Sequence, residues 1–470
     1  MHTPLHSARR GNRGTILIVT MWVVLVVAGV VLVMGRSVRV DALASANRVA
    51  ELQADALARG ALQYVLSCVD GSKGSPDLTQ VECNQVQVGN GYYWLLLPDL
   101  SDDANYYFGI RDEASRLNLN SASQDMLLEL TDMTEDLAAS IVAWRSPADN
   151  LNSGGAESSY YLLLNPSYNC KNSPFETIDE LMLVEGATRQ IVYGEDANLN
   201  GVLDQGEDAS GDGSLDRGIF PYVTVYGRQP NVSANGQSRI NVNTAGGTAL
   251  SNLLRSTVSA DRLYAVLDAA RRLRPFRNIF DFYVKLRLTP DEFTPIADRL
   301  TTSAQTTLTG LINVNTAPAE VLMCLPGLDQ NDADALVQAR SGVNVDLTSI
   351  AWVLNVLTPQ KAVAVGSYIT TGSYQFSADI VSVSGDGRAF KRYRAVIDTR
   401  NSPAQVIYWR DLTALGWPLD PAVLTALRSG QALPAVSSTP NSSTSGISTT
   451  ATKSTISTKP LTGNALGGTR

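Results

Sequence analysis

Residues 15–34 read TILIVTMWVVLVVAGVVLVM, a run of twenty residues without a charged side chain. A helix needs about 20 mostly apolar residues to cross the hydrocarbon core of a bilayer. Arginines stand at positions 9, 10 and 13, just before this run, and positive charge marks the cytoplasmic side of a spanning helix. The stretch therefore predicts one membrane-spanning helix that starts in the cytoplasm.

The helix is predicted to continue well beyond Met34. Apolar residues recur there at steps of three and four, as on one face of a helix. They are Leu43, Ala46, Ala50, Ala54, Leu57, Ala61, Tyr64 and Cys68. A secretory signal would instead have a shorter apolar core that ends at a small-residue cleavage site. The pattern favours a simple membrane anchor with a stalk, or the amino terminus of a type IV pilin-like subunit.

A short basic leader that ends in glycine precedes the apolar run, as in type IV pilin-like subunits. Arg13 and Gly14 before Thr15 predict cleavage after Gly14, so that Thr15 becomes the first mature residue. The fifth mature position is then Val19, whereas most such subunits have glutamate there. A carboxylate in hydrocarbon needs a partner, usually the terminal amine of a neighbouring subunit. Its absence indicates a subunit without such a neighbour.

Composition excludes several classes of function. The chain has 470 residues, which predicts two or three compact units. Its net charge is −8 and its isoelectric point is near 5.0, so no general positive field attracts nucleic acid. Both histidines, His2 and His6, fall within the predicted leader, so the mature chain has no Ser-His-Asp triad or imidazole metal site. The sequence therefore predicts that the protein is not an enzyme.

Strand-like segments follow the long helix and recur near the end of the chain. Residues 92–99 and 105–123 are rich in aromatic and branched side chains bounded by Pro-Asp and Asp-Asp. Strands resume at 374–398 around a Gly-Asp-Gly turn. We therefore predict an α+β fold in which the long amino-terminal helix packs on a small antiparallel sheet. A large α-helical region is predicted as an insertion between the strands of this sheet.

A six-residue motif repeats within that insertion. It reads LNLNSA at 117–122 and INVNTA at 240–245 and again at 312–317. Each copy opens with an extended Asn-x-Asn, which we expect to be followed by Ser or Thr as a helix N-cap. The repeat predicts three helical units of helix-hairpin-helix or SAM-like type.

Helical hairpins of this type also bind DNA in other proteins. A DNA-binding hairpin presents backbone N–H groups at a glycine turn, with Lys or Arg nearby. In the third unit Asp329, Asp332 and Asp334 surround the turn and would repel phosphate. The sequence therefore favours protein contacts over nucleic-acid binding.

Residues 195–218 contain a candidate calcium loop. The twelve-residue template takes ligands from positions 1, 3, 5, 7, 9 and 12, with glycine at position 6. Those ligand positions hold Asp196, Asn198, Asn200, the Val202 carbonyl, Asp204 and Glu207, and Gly201 is at position 6. A weaker second run contains Asp208, Asp212 and Asp216 but has Ile219 at its position 12. We expect calcium to order this loop; the alternative is a solvated acidic loop.

The four cysteines are Cys68, Cys83, Cys170 and Cys324, which allow three pairings. Cys68 and Cys83 flank a Gly-Ser-Lys-Gly loop and form the favoured pair. Closing this loop of about 15 residues would stabilise the fold by roughly 3 kcal/mol. A buried free thiol is the alternative for Cys324, and the sequence does not assign Cys170.

Three features together resemble the minor pseudopilin K family of the bacterial type II secretion system. They are the apolar helix without glutamate at its fifth mature position, the segment with Ile110, Asp112 and Glu113 that runs into LNLN, and INVNTAPAEVL at 312–322. The resemblance spans roughly residues 9–400.

The resemblance implies a minor pseudopilin that caps the tip of a periplasmic pseudopilus and supports protein secretion across the outer membrane. It implies an inner-membrane, single-pass protein whose globular part lies in the periplasm and contains calcium. The implied partners are the minor pseudopilins I and J, other pseudopilus subunits, and a prepilin peptidase that cuts and methylates the amino terminus. The alternatives are a membrane-anchored helix-hairpin-helix protein for DNA binding or uptake, and a calcium-dependent adhesin.

The sequence divides the chain into seven segments. They are a basic leader at 1–14, a transmembrane and amphipathic pilin-like helix at 15–69, the first part of the sheet at 70–116, inserted helical units with the calcium loop at 117–310, a third helical unit at 311–373, closing strands at 374–435, and a Ser/Thr-rich tail at 436–470 that we expect to be disordered.

Overall fold

The computed structural model describes residues 13–147, 154–342 and 345–434. All but the last two residues of the predicted leader, and the predicted tail at 436–470, lie outside the described residues. In chain order the helices are α1 Arg13–Val69, α2 Gln124–Leu128, α3 Glu135–Arg145, α4 Ser158–Tyr161, α5 Arg189–Tyr193, α6 Gly247–Leu254, α7 Ala260–Arg272, α8 Ile279–Lys285, α9 Pro290–Ala297, α10 Ala319–Met323, α11 Gln330–Arg340, α12 Pro359–Val365 and α13 Pro421–Ser429.

The strands are short except near the carboxyl end. They are β1 Val86–Val88, β2 Gly91–Leu96, β3 Arg111–Asp112, β4 Leu117–Asn118, β5 Val223–Thr224, β6 Arg228–Pro230, β7 Ile240–Asn241, β8 Leu300–Thr301, β9 Thr307–Thr309, β10 Ile312–Asn313, β11 Ile369–Thr370, β12 Gln375–Val383, β13 Phe390–Asp398 and β14 Gln405–Asp411. Single 3₁₀ turns or short 3₁₀ helices occur at Leu78–Gln80, Glu113–Ser115, Ile178–Leu183, Ile350–Asn355 and Thr413–Leu415.

The long helix α1 is divided between an exposed first part and a packed second part. At a rise of 1.5 Å per residue it is about 85 Å long. In the described part of the chain, α1 is the one helix long and apolar enough to cross a membrane, and none of its most apolar window is buried by protein. From Ala50 onward the predicted apolar face packs on a sheet, whereas Leu43 stays exposed. Ala54 and Ala58 are fully buried, and their small side chains let the helix backbone approach the sheet closely.

That sheet has six strands, in the order β1-β2-β12-β13-β14, with β3 also paired to β12. Every pairing in it is antiparallel. Because β12 pairs with both β2 and β3, the residues between β3 and β12 are an insertion within the sheet. The predicted α+β fold, with a long helix on a small antiparallel sheet, is confirmed.

Both faces of the sheet are covered. Side chains alternate between the faces of a strand, so Tyr93 and Leu95 pack under α1 while Trp94 and Leu96 face the opposite side. That opposite side is covered by α13 and the segment leading to it. The sequence analysis assigned closing strands to 374–435 and missed α13. The helix was missed because it has only nine residues, and a helix this short is stable only when its apolar side packs on the sheet.

The insertion contains three units, each closed by a two-residue parallel strand pair. Strand β4 pairs with β5, β7 with β8, and β10 with β11. The first strand of each pair is the start of the repeated six-residue motif, so the repeat marks where each unit opens. One hydrophobic cluster runs through all three units. The helix-hairpin-helix or SAM-like classification remains a prediction.

The repeated Asn-x-Asn has the same function in the first two units. The side-chain oxygen of Asn118 accepts a hydrogen bond from the Asn120 N–H at 2.8 Å, and that of Asn241 accepts one from Asn243 at 2.9 Å. The second asparagine of each pair then bonds both the N–H and the carbonyl of a distant backbone residue, Phe175 or Phe276. The second asparagine of each motif thus makes, through its side-chain amide, the pair of backbone hydrogen bonds that a neighbouring strand would otherwise make.

The N-cap prediction for the motif is wrong. The residues that cap the following helices are Ser123, Gly246 and Pro318, each two residues beyond the predicted Ser or Thr. In each copy the Ser or Thr lies in the tight turn formed by the asparagine, because that turn extends past the motif before the helix begins.

Candidate calcium site at the junction of the sheet and the helical units

The candidate calcium loop connects α5 to β5 at the edge of the first helical unit. Gly201, at position 6 of the template, has a φ of +77°. A Cβ on this residue would lie 2.3 Å from Cβ of Pro98, which is on the connection that follows β2. Glycine is therefore required both by the backbone conformation and by the close approach of the loop to the sheet domain.

Backbone N–H groups hold the carboxylates at both ends of the first run. Asp196 accepts hydrogen bonds from the N–H groups of Asn200 and Gly201, at 3.1 and 2.9 Å. Glu207 accepts from Ala197 and Asp204, at 2.9 and 3.1 Å. The first and the last ligand positions are thus fixed against the same loop backbone.

The two asparagines of the run point at Asp204. Their side-chain nitrogens donate to one Asp204 oxygen, at 2.7 Å from Asn198 and 2.9 Å from Asn200. Rotating an amide by half a turn exchanges its nitrogen for its oxygen, and an oxygen is what calcium would need. Among the described residues, no three Asp, Glu, His or Cys side chains form a cluster that could hold a metal ion. The oxygen donors of the loop fit calcium, and binding would require these amides to turn.

Burial makes the charges of this loop costly. Asp196 is 5% exposed and Glu207 is 9% exposed. Burial raises the pKa of Asp196 above its ordinary value. Burial also raises the pKa of Glu207, and the negative charges of Asp196 and Asp204 add to this effect. A bound cation would relieve this repulsion, which supports the donor-chemistry argument.

The carboxylates of the second run bond mostly to their own turns. Asp208 accepts from the N–H groups of Gly211 and Gly213, and Asp212 accepts from Ser214. Asp208 and Asp212 are exposed to solvent. Asp216 accepts from the Gly218 N–H of its own turn at 2.8 Å and also from the side chain of Gln190 on α5 at 2.7 Å.

The sequence analysis missed Glu195 as part of this second run. One oxygen of Glu195 accepts from the Ser210 N–H at 3.0 Å, and its other oxygen is buried without a hydrogen-bond partner in the part of the chain that the structure describes. The available signal was that Glu195 directly precedes Asp196. It was missed because the template counts only from Asp196 onward.

A buried ion pair attaches the loop to the central strands of the sheet. Arg392 on β13 is fully buried and bonds both oxygens of Asp379 on β12, at 2.9 and 2.8 Å. The same guanidinium donates to the carbonyls of Asn198 and Leu199, the latter at 2.8 Å. Burial opposes ionisation of Asp379, but Arg392 and Arg394 outweigh it and hold the pKa of this carboxyl below its ordinary value.

Two further segments contact the loop. The Asn200 side chain donates to the Pro418 carbonyl, on the segment before α13, at 3.0 Å. The connection between β2 and β3 is also hydrogen-bonded to the loop. The backbone carbonyl of Asp103 accepts from the Leu203 N–H at 2.8 Å, and its carboxylate accepts from the Leu215 N–H at 3.0 Å. The loop therefore joins the first helical unit to three separate parts of the sheet domain.

The hairpin turn of the third unit is acidic, and its one nearby lysine is paired. Gly327 has a φ of +78°, as expected at a tight turn. Asp329 caps α11 by accepting from the Asp332 N–H at 3.1 Å. Lys361 forms salt bridges with both Asp329 and Asp332. The prediction that the hairpins do not bind nucleic acid remains a prediction.

All four cysteines are free thiols in this structure. Cys68 and Cys83 are both half-buried against the hydrophobic cluster between α1 and the sheet, and their pairing as a disulfide stays a prediction. Cys170 and Cys324 are buried, in agreement with the free-thiol alternative for Cys324.

The predicted processing residues lie at the start of α1. Gly14 and Thr15 belong to its first turn, and Val19 follows with its side chain 60% exposed. Within residues 13–147, 154–342 and 345–434, no side chain covers this part of the helix, as expected for a segment surrounded by lipid.

Two family models match the chain. Both describe protein K of the type II secretion system; the first matches residues 111–193 and the second matches residues 312–358. The matched segments begin at β3 and at the third copy of the repeated motif, where the sequence analysis found its resemblance. The resemblance to the protein K family of type II secretion is confirmed.

The solved structures that resemble this chain at low identity include one of a three-subunit complex. It is the crystal structure of the GspK-GspI-GspJ complex from the enterotoxigenic Escherichia coli type 2 secretion system, with 15% identity, 77% of this chain and 95% of that chain covered, and a TM-score of 0.33. No curated protein matches the chain.

Proposed function

We propose that this chain is a minor pseudopilin that caps the tip of a periplasmic pseudopilus and so supports protein secretion across the outer membrane. It is a structural subunit and not an enzyme. It is held in the inner membrane by the first part of α1, with its globular part in the periplasm. A prepilin peptidase cuts after Gly14 and methylates the new terminus at Thr15. The partners are the minor pseudopilins I and J and the other pseudopilus subunits.

The observation that carries this proposal is the uncovered apolar surface of α1 beyond the membrane span. Val38, Val49 and Leu52 lie on one side of α1, because their spacing is close to whole helical turns, and each is between 64% and 66% exposed. Val40 and Leu43, at 58% and 48% exposed, continue the opposite side, which packs on the sheet further along. The sheet covers α1 only from Ala50 onward. In this proposal the membrane covers residues 15–34 and so leaves the intervening part of α1 for protein contacts. Exposed apolar side chains in series mark a contact surface. The α1 helices of neighbouring subunits have the shape and chemistry to cover it.

Two features support a position at the tip: the missing carboxylate at residue 19 and the size of the helical insertion. Val19 offers no carboxylate to the terminal amine of a subunit placed before it, so no such subunit is required. The insertion between β3 and β12 adds a large helical body at the end of α1 that packs on the sheet. A subunit at the end of a filament has room for such a body, whereas one within a filament does not.

Calcium has a structural function in this proposal. It neutralises the buried carboxylates of residues 196–207 and strengthens the junction between the first helical unit and the sheet. The support is the set of oxygen-bearing side chains at the template positions of that run and the raised pKa values of Asp196 and Glu207. Calcium supplies charge neutralisation and oxygen coordination only, and the chain supplies the remaining contacts.

Co-purification tests the assembly. The full chain, extracted in detergent, should co-purify with the minor pseudopilins I and J from the same genome. Leu52→Glu places a charge on the exposed apolar surface and should abolish the complex and the secretion it supports. Gln63→Glu is the matched control, because Gln63 is exposed on the same side of the helix but lies eleven residues beyond Leu52, past the last of these apolar side chains.

Two results would contradict the proposal. The first is a wild-type chain that binds neither pseudopilin. The second is equal loss of the complex in Leu52→Glu and Gln63→Glu, since that would mean that any added charge on α1 disturbs the fold.

A further inference from the structure

A small, partly enclosed cavity lies between the sheet and the first helical unit, beside the calcium loop. Its volume is about 40 Å³. Its polar lining consists mainly of charged side chains, namely Arg111, Arg116, Arg217, Arg394, Asp196 and Asp379. Four guanidinium groups therefore share a site with two carboxylates.

Both carboxylates are already engaged. Asp379 forms salt bridges with Arg392 at 2.8 Å and with Arg394 at 2.9 Å. Asp196 is held by the loop N–H groups of Asn200 and Gly201. They do not neutralise the remaining arginines, so the cavity has an excess of positive charge.

Arg111 and Arg217 carry most of this excess. Arg111 donates to the Pro98 carbonyl at 3.4 Å, and Arg217 donates to the Leu100, Asp102 and Gly201 carbonyls at 3.4, 3.2 and 3.1 Å. Among the described residues these partners are neutral backbone groups, and a carbonyl dipole does not balance a full charge. Burial lowers the pKa of Arg111 to about 9, and the charge of Arg116 contributes.

Two guanidinium nitrogens in the lining also lack hydrogen bonds. The Nε atoms of Arg116 and Arg217 are buried without a partner among the described residues. Arg116 pairs with Glu113 only at 3.8 Å, and its side chain is 8% exposed. A buried donor without an acceptor costs about 1–3 kcal/mol, and more when it is charged. These nitrogens require an acceptor that the described residues do not supply.

We propose that this cavity binds one small inorganic oxyanion of the phosphate or sulfate class. Such an ion has several acceptor oxygens, and a guanidinium presents paired donors that match its geometry. A cavity that holds a water needs about 10–15 Å³ by this measure, so 40 Å³ has room for roughly three waters or one tetrahedral ion. A lipid headgroup with its glycerol would not fit. The bound anion would bridge Arg111 on the sheet to Arg217 on the loop.

Equilibrium dialysis tests this proposal without requiring the pseudopilin function. The detergent-extracted full chain is first freed of phosphate and sulfate by exchange into a chloride buffer. It is then dialysed against ³²P-labelled orthophosphate at constant ionic strength, with sulfate as competitor. We expect one saturable site that sulfate displaces. Arg111→Met and Arg217→Met should each weaken binding roughly tenfold or more, because each removes a charged donor. Arg272→Met is the matched control, because that side chain is 72% exposed and on α7.

The folding of each variant is checked by circular dichroism, and the wild type provides an independent readout. Phosphate or sulfate should raise its melting temperature by more than it raises that of Arg111→Met or Arg217→Met, whereas Arg272→Met should match the wild type. The difference between variants separates binding at the cavity from the general stabilisation that both ions give to folded proteins. Absence of saturable binding to the wild type would overturn the proposal and leave a water-filled cavity. Binding that persists unchanged in folded Arg111→Met and Arg217→Met would overturn it as well, because the anion would then bind elsewhere.

Discussion

Removing the charge of Glu207 should abolish stabilisation by calcium while leaving the metal-free fold largely intact. Glu207 is the last ligand of the first run, and its two oxygens accept N–H bonds from Ala197 and Asp204. Glu207→Gln keeps the size of the side chain and one acceptor oxygen. It loses one charge-assisted bond, worth about 1.5–3 kcal/mol. It also removes the repulsion from Asp196 and Asp204 that raises the pKa of Glu207, so the two effects offset each other without calcium.

With calcium the two proteins should differ clearly. Binding to the folded state alone stabilises it by about 2.7 kcal/mol at a hundredfold excess of ligand over Kd. For a domain of 150–250 residues, each 1 kcal/mol shifts the melting temperature by about 2–4 °C. We therefore expect calcium to raise the melting temperature of the wild type by about 5–11 °C relative to chelator. Glu207→Gln should lose nearly all of this shift.

The assay is a thermal melt of the detergent-extracted full chain in calcium and in chelator. Asp216→Asn is the comparison variant, because Asp216 bonds Gln190 and belongs to the weaker second run. It should keep most of the calcium shift. If the wild type melts at the same temperature in calcium and in chelator, the loop is held by its own hydrogen bonds without calcium and the calcium proposal fails.

Four other outcomes are expected. Mass spectrometry of the membrane-extracted protein should find a methylated amino terminus at Thr15, and an intact Met1 would contradict processing. Arg392→Met should weaken calcium binding in a titration by roughly tenfold, since it removes the charged donor that holds the loop carbonyls. Arg388→Met should leave calcium binding unchanged, because Arg388 is on the exposed turn before β13. Asp379→Asn should destabilise the fold by about 3–5 kcal/mol at neutral pH, because it leaves buried guanidinium groups unpaired. The folded pKa of Asp379 is lowered, so its stabilising contribution is present above the ordinary value of 3.8 and is lost as pH falls through the folded value. The acid-unfolding curves of the variant and the wild type should therefore converge at that pH. Mobility-shift assays at low salt should show no complex with DNA at micromolar protein, and a salt-sensitive shift would favour the uptake alternative.

Periodic and repeated features could be predicted from the sequence because they depend on neighbouring residues. The apolar run at 15–34 and the three-and-four spacing after it predicted α1, and the structure confirms a helix over Arg13–Val69. The alternating residues at 374–398 predicted strands, and β12 and β13 occupy that range. The helix α13 was missed because its apolar side becomes evident only when it packs on the back of the sheet.

The site was predictable only in part, for the same reason. The template spacing placed the ligand candidates of the first run, because all of them lie within twelve consecutive residues. Neither Arg392 nor Asp379 could be predicted as supports of that loop, because Arg392 bonds a carbonyl 194 positions away in the sequence. Glu195 lies just outside the template, and its relation to Ser210 depends on how the chain folds back.

The sequence alone determined the anchor helix, the three repeated units, the oxygen-donor set of the calcium loop and the resemblance to type II secretion protein K. Each of these depends on spacing along the chain, which the backbone geometry of helices, strands and turns translates directly into structure. Only the tertiary structure decided that the loop joins the insertion to the sheet through Arg392, and that four arginines distant in sequence surround one cavity. Those arrangements depend on which surfaces pack together, and burial there changes the energetic cost of a charge far more than any local pattern does.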